Sequence, residues 1–163
     1  MNDEIGTTGV QLAGLSEDIV FLTRTVRAHL RTEISPLRAE FNVAPGEIGI
    51  LRIIGANPGI SQNDLAATVV LKKSAVAMVV RDLMERGLIA RKQQKTDRRY
   101  NALTLTSKGR ELVDVLADRV KSMHDDWFAN FSPDERQQLF NGLNKLSARL
   151  SSRDIDLQGT DED

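Results

Sequence analysis

The residues of this sequence best suited to do chemistry are cations, and they are concentrated in one stretch. Residues 72–110 hold eleven basic side chains: Lys72, Lys73, Arg81, Arg86, Arg91, Lys92, Lys95, Arg98, Arg99, Lys108 and Arg110. Only Asp82, Glu85 and Asp97 oppose them, leaving net plus 8. Residues 1–71 carry net minus 3 and residues 111–163 net minus 6, which returns the overall minus 1 of the 163-residue chain. Such a block in an otherwise acidic chain is the electrostatic footprint of a surface that meets phosphate. The plainer alternative is a solvated charged face, and the elements that carry the cations decide between the two.

Other chemistries lack their residues. The chain has no cysteine, which removes disulfides, thiolate metal ligation, cysteine nucleophiles and thiol redox sensing together. His29 and His124 are the only histidines, so a zinc site would have to recruit carboxylates such as Asp125 and Asp126; no metal site and no cofactor is expected. No Gly-x-Ser-x-Gly elbow or glycine-rich phosphate loop occurs. No catalytic residue is therefore assigned, and the chain does not read as an enzyme. Aromatic residues make up only 4%, leaving few rings on which bases or sugars could stack. With neither a signal peptide nor a membrane-length apolar run, the expected location is the cytoplasm.

Spacing predicts the elements that position the cations. Ile19, Leu22, Val26 and Leu30 describe an amphipathic helix from a Ser16 N-cap to Ser35-Pro36, where the pattern stops, with Arg24, Arg27 and Arg31 on its other face. Pro45 suits the first position of a second helix bearing Ile48, Leu51 and Ile54, with Glu47 near its positive end and Asn57-Pro58-Gly59 as terminator. Ser61 with Asp64 three residues on opens a short helix. After a break near Leu71, a further helix runs from Lys73 to Glu85, burying Val76, Val79 or Val80, and Leu83, with Gly87 beyond its end. Leu88–Lys92 and Tyr100–Leu105 read as two strands around a cationic turn, Gln93–Arg99. Thr106 caps a long helix carrying Leu112, Leu116, Val120 and Met123 and reaching Trp127. Ser132-Pro133-Asp134-Glu135 is a complete capping signature. The helix after it spaces Leu139, Leu143, Leu146 and Leu150 as a seam for another helix. Residues 1–14 and 151–163 are expected to form a flexible arm and a flexible acidic tail.

The fold class that follows is mainly α with a small β-hairpin wing. A winged helix-turn-helix spans residues 44–106, and long helices flank it over residues 15–35 and 107–150. In such a module the second helix of the pair lies in the major groove of double-stranded DNA while the hairpin reaches an adjacent minor groove. Lys72 and Lys73 open that helix; Arg98 and Arg99 sit at the hairpin tip.

The stretch from Ile60 to Leu112 resembles the MarR family of winged-helix regulators. The resemblance rests on Asn63-Asp64-Leu65-Ala66, Lys73-Ser74-Ala75-Val76, Leu83-Met84-Glu85-Arg86-Gly87-Leu88-Ile89, Asp97-Arg98-Arg99 and Leu105-Thr106-Ser107-Lys108-Gly109. It implies a homodimer whose N-terminal helix and two C-terminal helices intertwine, with Ile19, Leu139, Leu143, Leu146 and Leu150 at the interface. Two recognition helices would then lie about one DNA turn, roughly 34 Å, apart, and a palindromic operator follows from the two-fold symmetry. Within the wing, the resemblance assigns Asp97 to orienting the arginines and Arg98 or Arg99 to minor-groove or phosphate contact. An Asp97 that merely caps the turn is equally compatible. One departure concerns specificity: members commonly carry threonines and an arginine where this chain has Ala75, Ala77 and Met78. Those residues can touch a thymine methyl but read no donor or acceptor. Base reading would then rest on Ser74, Arg81, apolar contacts and DNA shape, unless the small residues face the core.

The resemblance further implies release from DNA when a small aromatic or phenolic carboxylate, or its coenzyme A thioester, binds. Arg27, His29, Arg31, Arg38 and Arg52, on or beside the first two helices, are the cations an anionic effector would seek, against a plain surface role for each. The expected function is a ligand-responsive transcriptional repressor. The alternative is a winged-helix module that binds protein; steep salt dependence separates DNA binding from that reading.

Overall fold

The computed structural model describes residues 12–69, 71–93 and 101–158. They fall into two compact units, residues 1–110 and 111–163. Among the described residues, no helix is long and apolar enough to cross a membrane.

In the first unit, the Asp18 carboxylate accepts the Phe21 N–H at 2.6 Å and caps α1 (Ile19–Glu33). The cap is therefore not Ser16, which lies in a preceding 3-10 turn, Leu15–Glu17. α1 ends at Glu33, just before Ser35-Pro36 as expected, but that pair also opens a second helix, α2 (Ser35–Phe41), because proline in a first turn removes an N–H that has no intrahelical acceptor. Pro45, expected at a helix start, stands outside α3 (Glu47–Ala56), whose N-cap is Gly46 and whose first residue is Glu47. Asn57 ends α3 as expected.

β1 (Ile60–Ser61) leads into α4 (Gln62–Thr68), capped as its spacing predicts by Ser61 Oγ, which accepts the Asp64 N–H at 3.0 Å. α5 (Lys73–Glu85) buries Val76, Val80 and Leu83, while Val79 stays half-buried. Its end is closed by Gly87 at φ 69, with Leu88 N–H donating to the Leu83 carbonyl at 2.9 Å and Gly87 N–H to that of Met84 at 3.0 Å. Only glycine takes this left-handed position without strain.

β2 (Ile89–Gln93) and β3 (Asn101–Leu105) pair antiparallel, Ile89 opposite Leu105 and Gln93 opposite Asn101. The sheet has a third strand beyond the hairpin: β1 lies along β3, with Ile60 opposite Leu103, so the order is β1-β3-β2. Leu51, Ile54, Leu65, Val76, Val80, Leu83 and Leu103 are fully buried and make the core on which these elements rest. Each such side chain contributes about 1.5–3 kcal/mol by leaving water.

Thr106 joins this unit to α6 (Ser107–Trp127). Its hydroxyl accepts the Gly109 N–H at 3.0 Å and donates to the Gly87 carbonyl at 2.7 Å. A side chain at Gly109 would run into the Leu88 carbonyl oxygen.

In the second unit, α7 (Pro133–Gln158) carries the predicted capping box. Glu135 N–H donates to Ser132 Oγ at 3.2 Å, and Ser132 N–H to the Glu135 carboxylate at 2.8 Å. That backbone bond, with the Ser132 hydroxyl, holds the Glu135 carboxyl below the ordinary glutamate range. The helix continues past Leu150, so residues 151–158 belong to it rather than to a tail. Where α6 meets α7, Phe128 stands edge-on to Phe131 at 5.2 Å and against Phe140 at 5.5 Å, with the Arg136 guanidinium over its ring at 5.0 Å.

Candidate nucleic-acid interface

α5 is amphipathic in a way that divides labour. Val76, Val80 and Leu83 anchor one side in the core, leaving Lys73, Ser74, Ala77, Met78 and Arg81 on the other, exposed. Lys72, at the N-cap, is exposed too, and no side chain caps the helix. Its first turn therefore offers backbone N–H groups and two ammonium groups at the positive end of the helix dipole. Ala75 is half-buried, so of the three small or apolar positions flagged in the sequence it alone turns toward the core. Met78 is 65% exposed. Lys72, Lys73 and Arg81 have no ionic partner among the described residues. Asp97, Arg98 and Arg99 lie outside the described residues.

Other cations of the plus 8 block serve the fold instead. Arg91 donates to Gln62 Oε1 at 3.0 Å, tying β2 to α4. Lys108 Nζ donates to the Arg86 carbonyl at 3.0 Å, and Arg110 Nη1 to that of Leu105 at 3.0 Å.

Arg86 belongs to a clamp that sequence reasoning missed. Its Nη1 reaches Glu47 Oε2 at 2.9 Å and Asp82 Oδ2 at 2.8 Å, while Nη2 donates to the Asn42 carbonyl at 2.6 Å. Glu47 is buried and also accepts the Ala44 N–H at 2.9 Å. Burial opposes the Arg86 charge, but the bonds and attraction from Glu47 and Asp82 prevail and raise its pKa. The clamp pins the C-terminal end of α5 to the α2–α3 turn. The Asp82/Arg86 spacing of four was a visible signal; the burial of Glu47 was not.

Beside the clamp lies a cavity of about 450 Å³ lined by Ser35, Arg38, Asn42, Val43, Glu47, Asp82 and Arg86 among others. Of the five cations proposed for an effector, Arg38 alone lines it; Arg27, His29 and Arg31 are exposed on α1 and Arg52 on α3. Arg38 Nε is buried without a hydrogen-bond partner. Among the described residues, no group of three side chains is arranged to hold a metal ion. The predicted interface residues are uncovered in the single chain: Ile19 is 47% exposed, Leu139 41%, Leu143 40%, Leu146 36% and Leu150 51%.

The MarR family profile matches residues 41–99, the stretch that holds α3 through β2. A protein of Thauera aromatica, named as a candidate regulator of the hcr operon, is 36% identical over 104 residues; the match spans 64% of this chain and 63% of that relative. A crystal structure of MarR superposes with a TM-score of 0.65 at 27% identity, covering 96% of this chain and 99% of that one. The transcriptional repressor CouR, bound to a 23-mer DNA duplex, shares the fold with a TM-score of 0.78 at 24% identity, over 86% of this chain and 99% of its own. The chain is thus similar to proteins of the MarR family, by the family profile over residues 41–99 and by the MarR crystal structure over nearly the whole chain.

Proposed function

We propose that this protein is a homodimeric, sequence-specific DNA-binding repressor, released from a palindromic operator by a small anionic effector. The observation that carries the reading is α5. A helix anchored in the core of a winged-helix unit presents Lys72, Lys73, Ser74 and Arg81 outward, exposed and, among the described residues, without ionic partners. Two cations and an uncapped first turn suit phosphate, and the positions further along suit base edges. The exposed leucines of α7 support a second copy as their cover, because such a stripe left in water at every fourth or third position is costly. The cavity at Arg38 supports an effector with a carboxylate, since an arginine on its lining is a cation suited to pair with one.

Fluorescence anisotropy of the purified protein against fragments of its own upstream region, at two salt concentrations, tests the reading. Tight binding selective for one fragment and steeply weakened by salt is expected. Weak binding equal for every fragment would refute it and favour a protein-binding module. With the selected fragment as probe, salicylate tests the effector. Release by salicylate that Arg38→Ala abolishes is the expected result, and unchanged release in that variant would move the effector elsewhere.

A further inference from the structure

On the DNA-binding reading above, we infer that Met78, with Ala77, is a specificity determinant that selects thymine through its C5-methyl group at the centre of each half-site. Ala77 and Met78 lie three and four residues after Ser74 and four and three before Arg81, and all four are exposed. They form one outward stripe of α5, about 10 Å long from Ser74 to Arg81 at 1.5 Å per residue. That is about three base-pair steps, of which the two ends carry polar groups and the middle carries none. Arg81 can donate to guanine O6 and N7, and Ser74 can bond to any base. The middle offers an alanine methyl and a flexible thioether chain. These match no donor or acceptor, but in the major groove only thymine presents an apolar group. Cytosine or adenine there would set an amino group against Met78 and lose its water without replacement. The 65% exposure of Met78 fits this role: the described residues leave most of the side chain uncovered, and its neighbours on the stripe are surface residues.

The experiment selects a binding duplex from a randomised DNA pool with the full-length protein, then resynthesises it with deoxyuridine replacing each thymine in turn. Uracil pairs as thymine does and lacks only the methyl. One or two positions per half-site should lose about fourfold in affinity, the equivalent of one methyl withheld from an apolar contact. Met78→Ala should erase that sensitivity while leaving the melting temperature unchanged, and Met78→Leu should retain it. Uridine substitution without effect anywhere would overturn the inference and leave sequence-specific binding intact. Sensitivity that persists undiminished in Met78→Ala would overturn the assignment to this residue. A pool with no enriched sequence would overturn the DNA-binding reading itself, and the inference with it.

Discussion

Truncating Glu47 tests whether the clamp at the end of α5 is a determinant of stability. Glu47 Oε2 takes two hydrogen bonds, from Arg86 Nη1 and from the Ala44 N–H, both at 2.9 Å, with only 4% of its side chain exposed. In Glu47→Ala the charge-assisted bond, worth roughly 1.5–3 kcal/mol, disappears and the Ala44 N–H loses its acceptor, a further 1–3 kcal/mol. The adjoining cavity admits water to the vacated space, which offsets part of this, and Arg86 keeps Asp82 and the Asn42 carbonyl. The expected loss is about 2–4 kcal/mol, or roughly 5–15 °C in Tm for a chain of this length. Asp82→Asn removes the other carboxylate on the same arginine, but that side chain is 51% exposed, so at most about 1 kcal/mol should go. Glu47→Gln keeps both acceptor roles without the charge and should fall between, near 1–2 kcal/mol. Urea unfolding followed by Trp127 fluorescence and circular dichroism, at one fixed protomer concentration, gives the three values. Glu47→Ala within about 0.5 kcal/mol of the parent, or Asp82→Asn costing as much as Glu47→Ala, would refute the reasoning.

Four further outcomes are expected. Lys72→Ala with Lys73→Ala removes four phosphate contacts from a dimer and should flatten the log–log salt slope of DNA binding by about 3.6; an unchanged slope would take these lysines out of the interface. Gly109→Ala drives a methyl into the Leu88 carbonyl and should cost about 3 kcal/mol or leave the protein unfolded, so a normal melting curve would contradict the packing at the start of α6. Leu143→Asp should give a monomer or an unfolded chain in sedimentation, and a dimer of ordinary size would show that α7 pairs elsewhere. The Glu135 carboxyl should titrate below the ordinary glutamate range by NMR. Because its pKa is lowered in the folded state, its contribution is full above the unfolded value and is lost as pH falls through the folded one. The melting difference between parent and Glu135→Gln should therefore be present at neutral pH and close in acid; a constant difference would assign it to packing.

What the sequence revealed and what it hid divide along the range of the interactions. Ser61 with Asp64, Ser132 with Glu135, Thr106 with Gly109, and Gly87 after Glu85 are bonds between residues a few positions apart, so residue type and spacing displayed them. The pairing of Ile60 with Leu103 and the bond between Glu47 and Arg86, 39 residues apart, depend on where distant segments meet and left no periodic trace. A two-residue strand is too short to alternate visibly. Pro36 marked the end of α1 but hid the start of α2, because the stop signal and the first-turn signal of a helix use the same residue. For the candidate interface, charge pointed to the stretch that holds α5, yet Arg86, Arg91, Lys108 and Arg110 were counted with cations free to meet phosphate although they donate to Glu47, Gln62 and backbone carbonyls.

Among the described residues, the strand order β1-β3-β2 leaves β2 at the rim of the sheet, paired with a strand on one side only. An open rim invites strand addition by another copy of the chain, and charge in the rim strand is a common deterrent. β2 carries Arg91 and Lys92. The charge of this strand is suited to discourage the chain from polymerising. Charge-neutralising variants of this strand should be assayed for turbidity and light scattering alongside DNA affinity, since weaker binding there can reflect protein drawn off into aggregates rather than a poorer grip on the duplex.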